Sequence, residues 1–394
     1  MSGRWVGWVC VGALVVFMAR AEAQTRVIPL APEIQARSYV LLDVTANQVL
    51  DAHDVDSSVE PASLTKLMTA YLVFDALRAE KLELEQEMPV SERAWLMPGS
   101  RMFIEPRMKV PVDDLLKGLI VQSGNDAAVA LAEGVSGTVE RFVELMNAQA
   151  RTLGMTSTNF KNPTGLPQEG HVTTASDLAR LAARILGDFP EHAAYFSTRK
   201  YRYKGTPTAN AGNRNLLLYR DPAVDGLKTG HTDSAGYCIV ATAKRRYPTL
   251  GADSKGERRL IAVVLGAADE QARANEAQKL LNWGFSAFDA VKLFDANQAV
   301  VSAPVWKGRS STVQLGRTQP IVVAVPVGEA DKLRTTVMRR EPLIAPLHKG
   351  ESAGTLRIYA GEHVLRDMDL RVLDSVEMSG VFGQALDALR LWMR

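Results

Sequence analysis

The chain has 394 residues, 46% of them hydrophobic and 23% charged, with a formal net charge of +2. This is ordinary globular composition with room for more than one domain, and its acids and bases are interspersed without the basic block that nucleic acid requires. Six histidines are scattered and no cysteine cluster exists, so no metal-ligand spacing is present.

Residues 1–23 read as a secretory signal peptide: Arg4, an apolar core over 8–18, and Ala21-Glu22-Ala23 as a cleavage site before Gln24. The core is shorter than the ~20 residues that span a bilayer. Cys10 leaves with it. Cys238, then alone within Tyr237-Cys238-Ile239-Val240, reads as a small buried hydrophobe. Strands are predicted over 38–44 and 48–52, with a turn at Ala46-Asn47. Pro61 precedes the apolar periodicity of Leu64, Leu67, Met68, Tyr71 and Leu72, which predicts a helix over 63–78. Residues 112–134 read as helical on both sides of Ser123-Gly124-Asn125, the glycine breaking the helix. Helices are predicted over 138–153 and, capped by Thr174, over 175–186. Apolar strands over 236–243 and 259–266 flank a polar loop, 244–257, and a helix over 270–288 follows. Strands at both ends with helices between imply one sheet, built from both ends of a domain covering 24–289.

Beyond residue 290 the texture changes. Short β-branched runs over 300–306, 311–315, 321–327, 334–339, 354–359 and 364–373, separated by glycines, predict a small all-β domain over 290–377. Residues 378–394 form an amphipathic helix. Val381, Phe382, Ala385, Leu386, Leu389, Trp392 and Met393 fall on one face, and Gln384, Asp387, Arg390 and Arg394 on the other, with Leu391 as the exception. Such a helix lies in a membrane interface; the rival reading docks it on its own β domain or on a partner.

Three segments carry chemistry: Ser63-Leu64-Thr65-Lys66, Ser123-Gly124-Asn125 and Lys228-Thr229-Gly230. A serine hydroxyl needs a neighbour to take its proton, and a lysine three residues on along a helix shares its face. Each segment alone is weak. Ser197-Thr198-Arg199-Lys200 has the same S-x-x-K spacing without any supporting context. Ser63, at a helix start, also meets free backbone N–H groups and the positive dipole end. For Lys66 to act as a base it must be neutral, far below an ordinary lysine.

In this order the segments match the S-x-x-K, S-x-N, K-T-G signature of penicillin-recognising acyltransferases. The mature chain resembles, nearly end to end, the low-molecular-mass penicillin-binding proteins of the D-alanyl-D-alanine carboxypeptidase type. Further matching stretches are Pro61-Ala62 before Ser63, Val224-Asp225-Gly226-Leu227 before Lys228, and Lys279-Leu280-Leu281-Asn282-Trp283-Gly284-Phe285. The resemblance implies an α/β (α+β) catalytic domain like a serine β-lactamase: an antiparallel sheet flanked by helices, with a helical subdomain. The small all-β domain and the amphipathic helix follow it. It implies Ser63 as nucleophile, Lys66 as base and Ser123 as proton relay. Asn125 holds the site and the substrate amide, and Lys228 supplies charge. The N–H groups of Ser63 and His231 form the oxyanion hole beside Gly230. Arg214, Thr229 and Arg273 read the substrate's terminal carboxylate, unless the arginines are surface ion pairs; Arg214 is the looser match.

The implied activity removes the terminal D-alanine from peptidoglycan pentapeptides, with β-lactams as inhibitors and no cofactor or metal. The implied place is the periplasm, peripherally on the inner membrane through the terminal helix. A homodimer is left open. A class A β-lactamase would carry Ser-Asp-Asn and a downstream deacylating glutamate, and no Glu-x-x-Leu-Asn follows Asn125. An endopeptidase cutting crosslinks and a non-catalytic wall-binding scaffold are the other readings.

Overall fold

The structure is a computed structural model that describes residues 30–247 and 256–392. The predicted signal peptide, most of the predicted polar loop after residue 244, and Met393 and Arg394 lie outside the described residues. So do the side chains of Leu386, Leu389 and Leu391.

A five-stranded antiparallel sheet organises the first part. From edge to edge its strands are Gln48–His53, Ser38–Asp43, Glu257–Ala267, Gly236–Arg246 and Val224–Thr232. Both faces are covered, so the central strands are apolar throughout, yet the alternation survives in what each residue touches. Val40, Val240, Ile261 and Val263 join the large core shared with the helical side. Leu41, Ile239, Ala241, Leu260 and Val264 join the core under the helix Glu270–Ala287. Cys238 is buried and unpaired in this sheet, as a small hydrophobe.

The helical side comprises Val112–Ile120, Asn125–Ser136, Val139–Thr152 and Ala175–Asp188 around Lys66–Arg78. Thr138 and Thr174 cap their helices by accepting from the amides of Arg141 and Asp177. The predicted helix over 63–78 starts differently: Ala62–Thr65 is a 3₁₀ turn, and the α-helix begins at Lys66.

The predicted all-β domain is present as a six-stranded sheet with a separate two-stranded ribbon. The ribbon pairs Phe288–Phe294 with Ile321–Pro326. Sequence periodicity carried the preceding helix to Phe288, because Phe285 and Phe288 have helical spacing. The helix stops at Ala287 and the chain turns directly into a strand. Two-residue and three-residue strands, Leu343–Ile344, Glu87–Pro89 and Lys109–Pro111, were too short to give a periodic signal.

The two parts meet at a small apolar cluster of Ala46, Ala290, Val322 and Ala324. Gln48 donates to and accepts from the backbone of Ala324, at 3.1 and 3.3 Å. Arg366 donates to Ala46 O at 2.7 Å. Beneath this seam Arg258 and Asp43, both fully buried, pair at 2.7 Å, and Arg258 also donates to Phe288 O. The helix Val381–Trp392 follows the β domain.

Candidate active site

Edge strand, helical side and helix 270–287 meet over Ser63. The 3₁₀ turn eclipses positions three apart, which stacks Lys66 beneath Ser63, with Nζ donating to Ser63 Oγ at 3.1 Å. Lys66 is almost wholly buried (1% exposed). Its other partners are Asn125 Oδ1 at 2.7 Å and Thr164 O at 2.5 Å. Its pKa is lowered to about 7, chiefly by burial, with Asp126 opposing the fall and Arg214 adding to it. A lysine there loses its proton readily, which is what a base beside a serine needs.

Asn125 opens its helix, and its side chain bridges two elements: Oδ1 accepts from Lys66 while Nδ2 donates to Pro98 O at 2.6 Å. Asp126, buried, accepts from the amides of Met102, Phe103 and Ile104, which pins the loop over residues 98–104 as one wall. Ser123 precedes Gly124 at a φ of 60°. Its Oγ accepts from Lys228 Nζ at 2.9 Å. Lys228 is buried too and lies well below its ordinary pKa, chiefly through burial and then through Lys66, Arg214 and Arg273.

Among the described residues the K-T-G strand Val224–Thr232 is the outer edge of the sheet and pairs only with Gly236–Arg246, so one side of its backbone is available for a peptide. A Cβ at Gly230 would lie 3.1 Å from the Ser63 amide nitrogen. A side chain there would press on the nucleophile turn, which would have to give by a few tenths of an ångström. His231 is exposed and lies against Tyr237, ring centroids 4.0 Å apart. Arg273 is buried and donates to Gly230 O and Arg214 O, both at 3.3 Å, and to Glu270 at 2.7 Å. Burial lowers its pKa. Ser63, Ser123, Thr229, Arg214 and Arg273 all line one cavity of about 360 Å³. Lys66, Asn125 and Lys228 support it from below.

Several residues at this site had no signal in the motifs. The loop over 162–166 closes the floor. Asn162 Oδ1 gathers the Thr164 and Gly165 amides, and Thr164 O holds Lys66. Thr69 donates to Pro163 O, and Thr65 pairs with the buried His171 at 2.9 Å. His171 is pushed down to about 4, mainly by burial, and is neutral at physiological pH. Asn162-Pro163-Thr164-Gly165 is a turn signal, and the hydroxyls of Thr65 and Thr69 within an apolar helix mark where another segment docks. Glu270 and Tyr237 were also unforeseen. Ser197, of the second S-x-x-K, is exposed at the end of a short helix, its hydroxyl donating to Ala194 O.

Together these define a serine acyltransferase of the penicillin-recognising type. Residues 24–269 match the D-alanyl-D-alanine carboxypeptidase family, and residues 288–378 match the C-terminal domain of penicillin-binding protein 5. The chain is 38% identical to the D-alanyl-D-alanine carboxypeptidase DacC of Escherichia coli K12, over 95% of this chain and 92% of that protein. It is 36% identical to DacA of Haemophilus influenzae, over 97% and 95%. Among solved structures, penicillin-binding protein 5 of Haemophilus influenzae superposes with a TM-score of 0.81 at 35% identity, covering 88% of this chain and 99% of that one. The protein belongs to the D-alanyl-D-alanine carboxypeptidase family.

Proposed function

We propose that this protein is a serine D-Ala-D-Ala carboxypeptidase that removes the terminal D-alanine from peptidoglycan pentapeptides and is acylated by penicillins. The observation that carries the reading is the 3.1 Å contact of the low-pKa Lys66 amine with Ser63 Oγ, in a cavity shared with Ser123, Thr229 and Arg273. The peptide adds as a strand to the free edge of Val224–Thr232. Ser63 Oγ attacks the penultimate D-alanine carbonyl while neutral Lys66 takes its proton. The N–H groups of Ser63 and His231 hold the oxyanion. Lys228 and Ser123 return a proton to the departing D-alanine amine, and water then releases the acyl group. Arg273, Thr229 and Arg214 receive the terminal carboxylate. Asn125 orients Lys66 and faces the substrate amide.

The domain limits we assign are a catalytic unit over 24–289, a β unit over 290–377 and an anchoring helix over 378–394. With residues 1–23 as a cleaved signal, the enzyme works in the periplasm against the outer leaflet of the inner membrane. Among the described residues no helix is long and apolar enough to cross a membrane, which suits peripheral attachment through the terminal helix.

The test is covalent labelling with a fluorescent penicillin, together with mass analysis of a defined pentapeptide. The wild type is expected to be labelled and to release D-alanine. Ser63→Ala is expected to lose both while keeping its thermal midpoint, and Ser197→Ala to match the wild type. Labelling that survives Ser63→Ala refutes the nucleophile.

A further inference from the structure

Arg273 is a buried cation in the wall of the cavity, and its charge already has a partner. Glu270, one turn earlier on the same helix, receives its Nη2 at 2.7 Å. Glu270 is the one carboxylate among the described residues lining this cavity, beside Arg214 and Arg273. Its neighbour Asp269 is committed elsewhere, capping the helix by accepting from Ala272 N at 2.7 Å. The two members of the pair differ in freedom. The Arg273 side chain is 5% exposed and the Glu270 side chain 47%. Arg273 is further fixed by its bonds to Gly230 O and Arg214 O, whereas Glu270 can swing toward solvent.

We infer that Glu270 is a specificity-determining residue: its carboxylate holds the Arg273 guanidinium that a substrate's terminal carboxylate has to take over. This rests on the reading above that Arg273 receives that terminus. Two carboxylates at one guanidinium repel each other in a partly desolvated cavity. The incoming carboxylate therefore displaces Glu270, and part of its binding free energy is used in doing so. Displacement carries a modest cost, about threefold to tenfold in affinity, because a half-exposed helix pair three apart is weaker than a fully buried one. A ligand whose terminus is amidated cannot compete for Arg273 and leaves the internal pair in place. Glu270 thus sets how strongly a free carboxylate must be presented before the site accepts it, and it acts on binding before it acts on chemistry.

The experiment compares Glu270→Gln with wild type on a D-Ala-D-Ala peptide as free acid and as C-terminal amide. Glutamine keeps the length and the hydrogen bond and removes the charge. For the free acid, KM is expected to fall about threefold to tenfold with kcat within about twofold. The free-acid to amide ratio of kcat/KM is expected to rise by the same factor. Acetate, a bare carboxylate probe, is expected to inhibit the variant at correspondingly lower concentration. An unchanged free-acid KM, or equal losses on both peptides with a lowered thermal midpoint, overturns the inference: Glu270 would then only steady Arg273. Arg273→Ala on the same two peptides separates the underlying reading. A loss confined to the free acid upholds Arg273 as the carboxylate reader whatever Glu270 does, and equal losses remove both claims.

Discussion

Lys66 is a buried amine whose partners are neutral acceptors, so burial favours its uncharged form. Burial brings it to about 7. The neutral, base-competent fraction therefore grows as pH rises, reaching half at about that value. The rate of acylation by benzylpenicillin, whose carboxylate is ionised throughout, is expected to climb roughly tenfold per unit well below pH 7 and to level off above it. A rate that is flat across this range, or that keeps climbing toward the pKa of an ordinary lysine, excludes Lys66 as the base. Ser63, Lys66, Ser123 and Lys228 were legible in the sequence because each sits in a short motif, the three motifs come in a recognisable order, and their chemistry is in their side chains. Thr164 was not: it acts on Lys66 through its carbonyl, which every residue possesses. Glu270 was not, because an acid in the first turn of a helix is ordinary, and only the fold brings Arg273 and the cavity to it.

At the scale of elements, the site depends on a 3₁₀ turn and on the loop that supports it. The proline and the apolar run were enough to predict a helix near residue 63, but the tighter first turn comes from tertiary contact. Ala62 has a φ of 46°, and Gly165 packs against its carbonyl so closely that a Cβ there would lie 1.8 Å from Ala62 O. Gly165 also has a φ of 85°. Gly165→Ala is therefore expected to cost roughly 1–3 kcal/mol in urea unfolding from backbone strain alone. It is also expected to slow penicillin acylation by about tenfold to a hundredfold, because the nucleophile turn moves. Gly187→Ala is the control. It lies near the end of the helix Ala175–Asp188 with open space around it, and alanine there is expected to add about 0.5–1 kcal/mol. Equal behaviour of the two variants would mean that the loop over 162–166 does not shape the turn. Four of the five strands of the first sheet were read to within a few residues, the central ones because burial on both faces leaves long apolar runs; the edge strand Val224–Thr232 was given no bounds. The strand Phe288–Phe294 was missed because its few residues fit a helical spacing as well as a strand.

For the whole molecule, the arrangement of the last helix is informative. A helix docked for stability turns its apolar face inward. Here Asp387 accepts from the Lys307 amide at 2.7 Å, and Gln384 donates to Ser379 O. Val381, Phe382 and Trp392 are 81%, 92% and 85% exposed. A polar contact from the Lys307 amide to Asp387 ties the helix to the β domain, while the described apolar side chains Val381, Phe382 and Trp392 stay exposed. Burying that face in the headgroup boundary of a bilayer recovers the hydrophobic free energy that the fold leaves unused. The candidate catalytic residues lie on the other side of a seam made by Gln48, Ala324, Arg366 and the buried Arg258–Asp43 pair, so their geometry is expected not to depend on the helix. A chain ending at Glu377 is expected to stay folded, to keep its hydrolysis of soluble peptides within about twofold, and to lose at least about tenfold in vesicle binding. Sedimentation with anionic vesicles reads the last quantity directly. If full-length and shortened proteins pellet alike, attachment lies elsewhere; if the shortened chain unfolds, the helix is part of the β domain core and its outward apolar face has some other occupant.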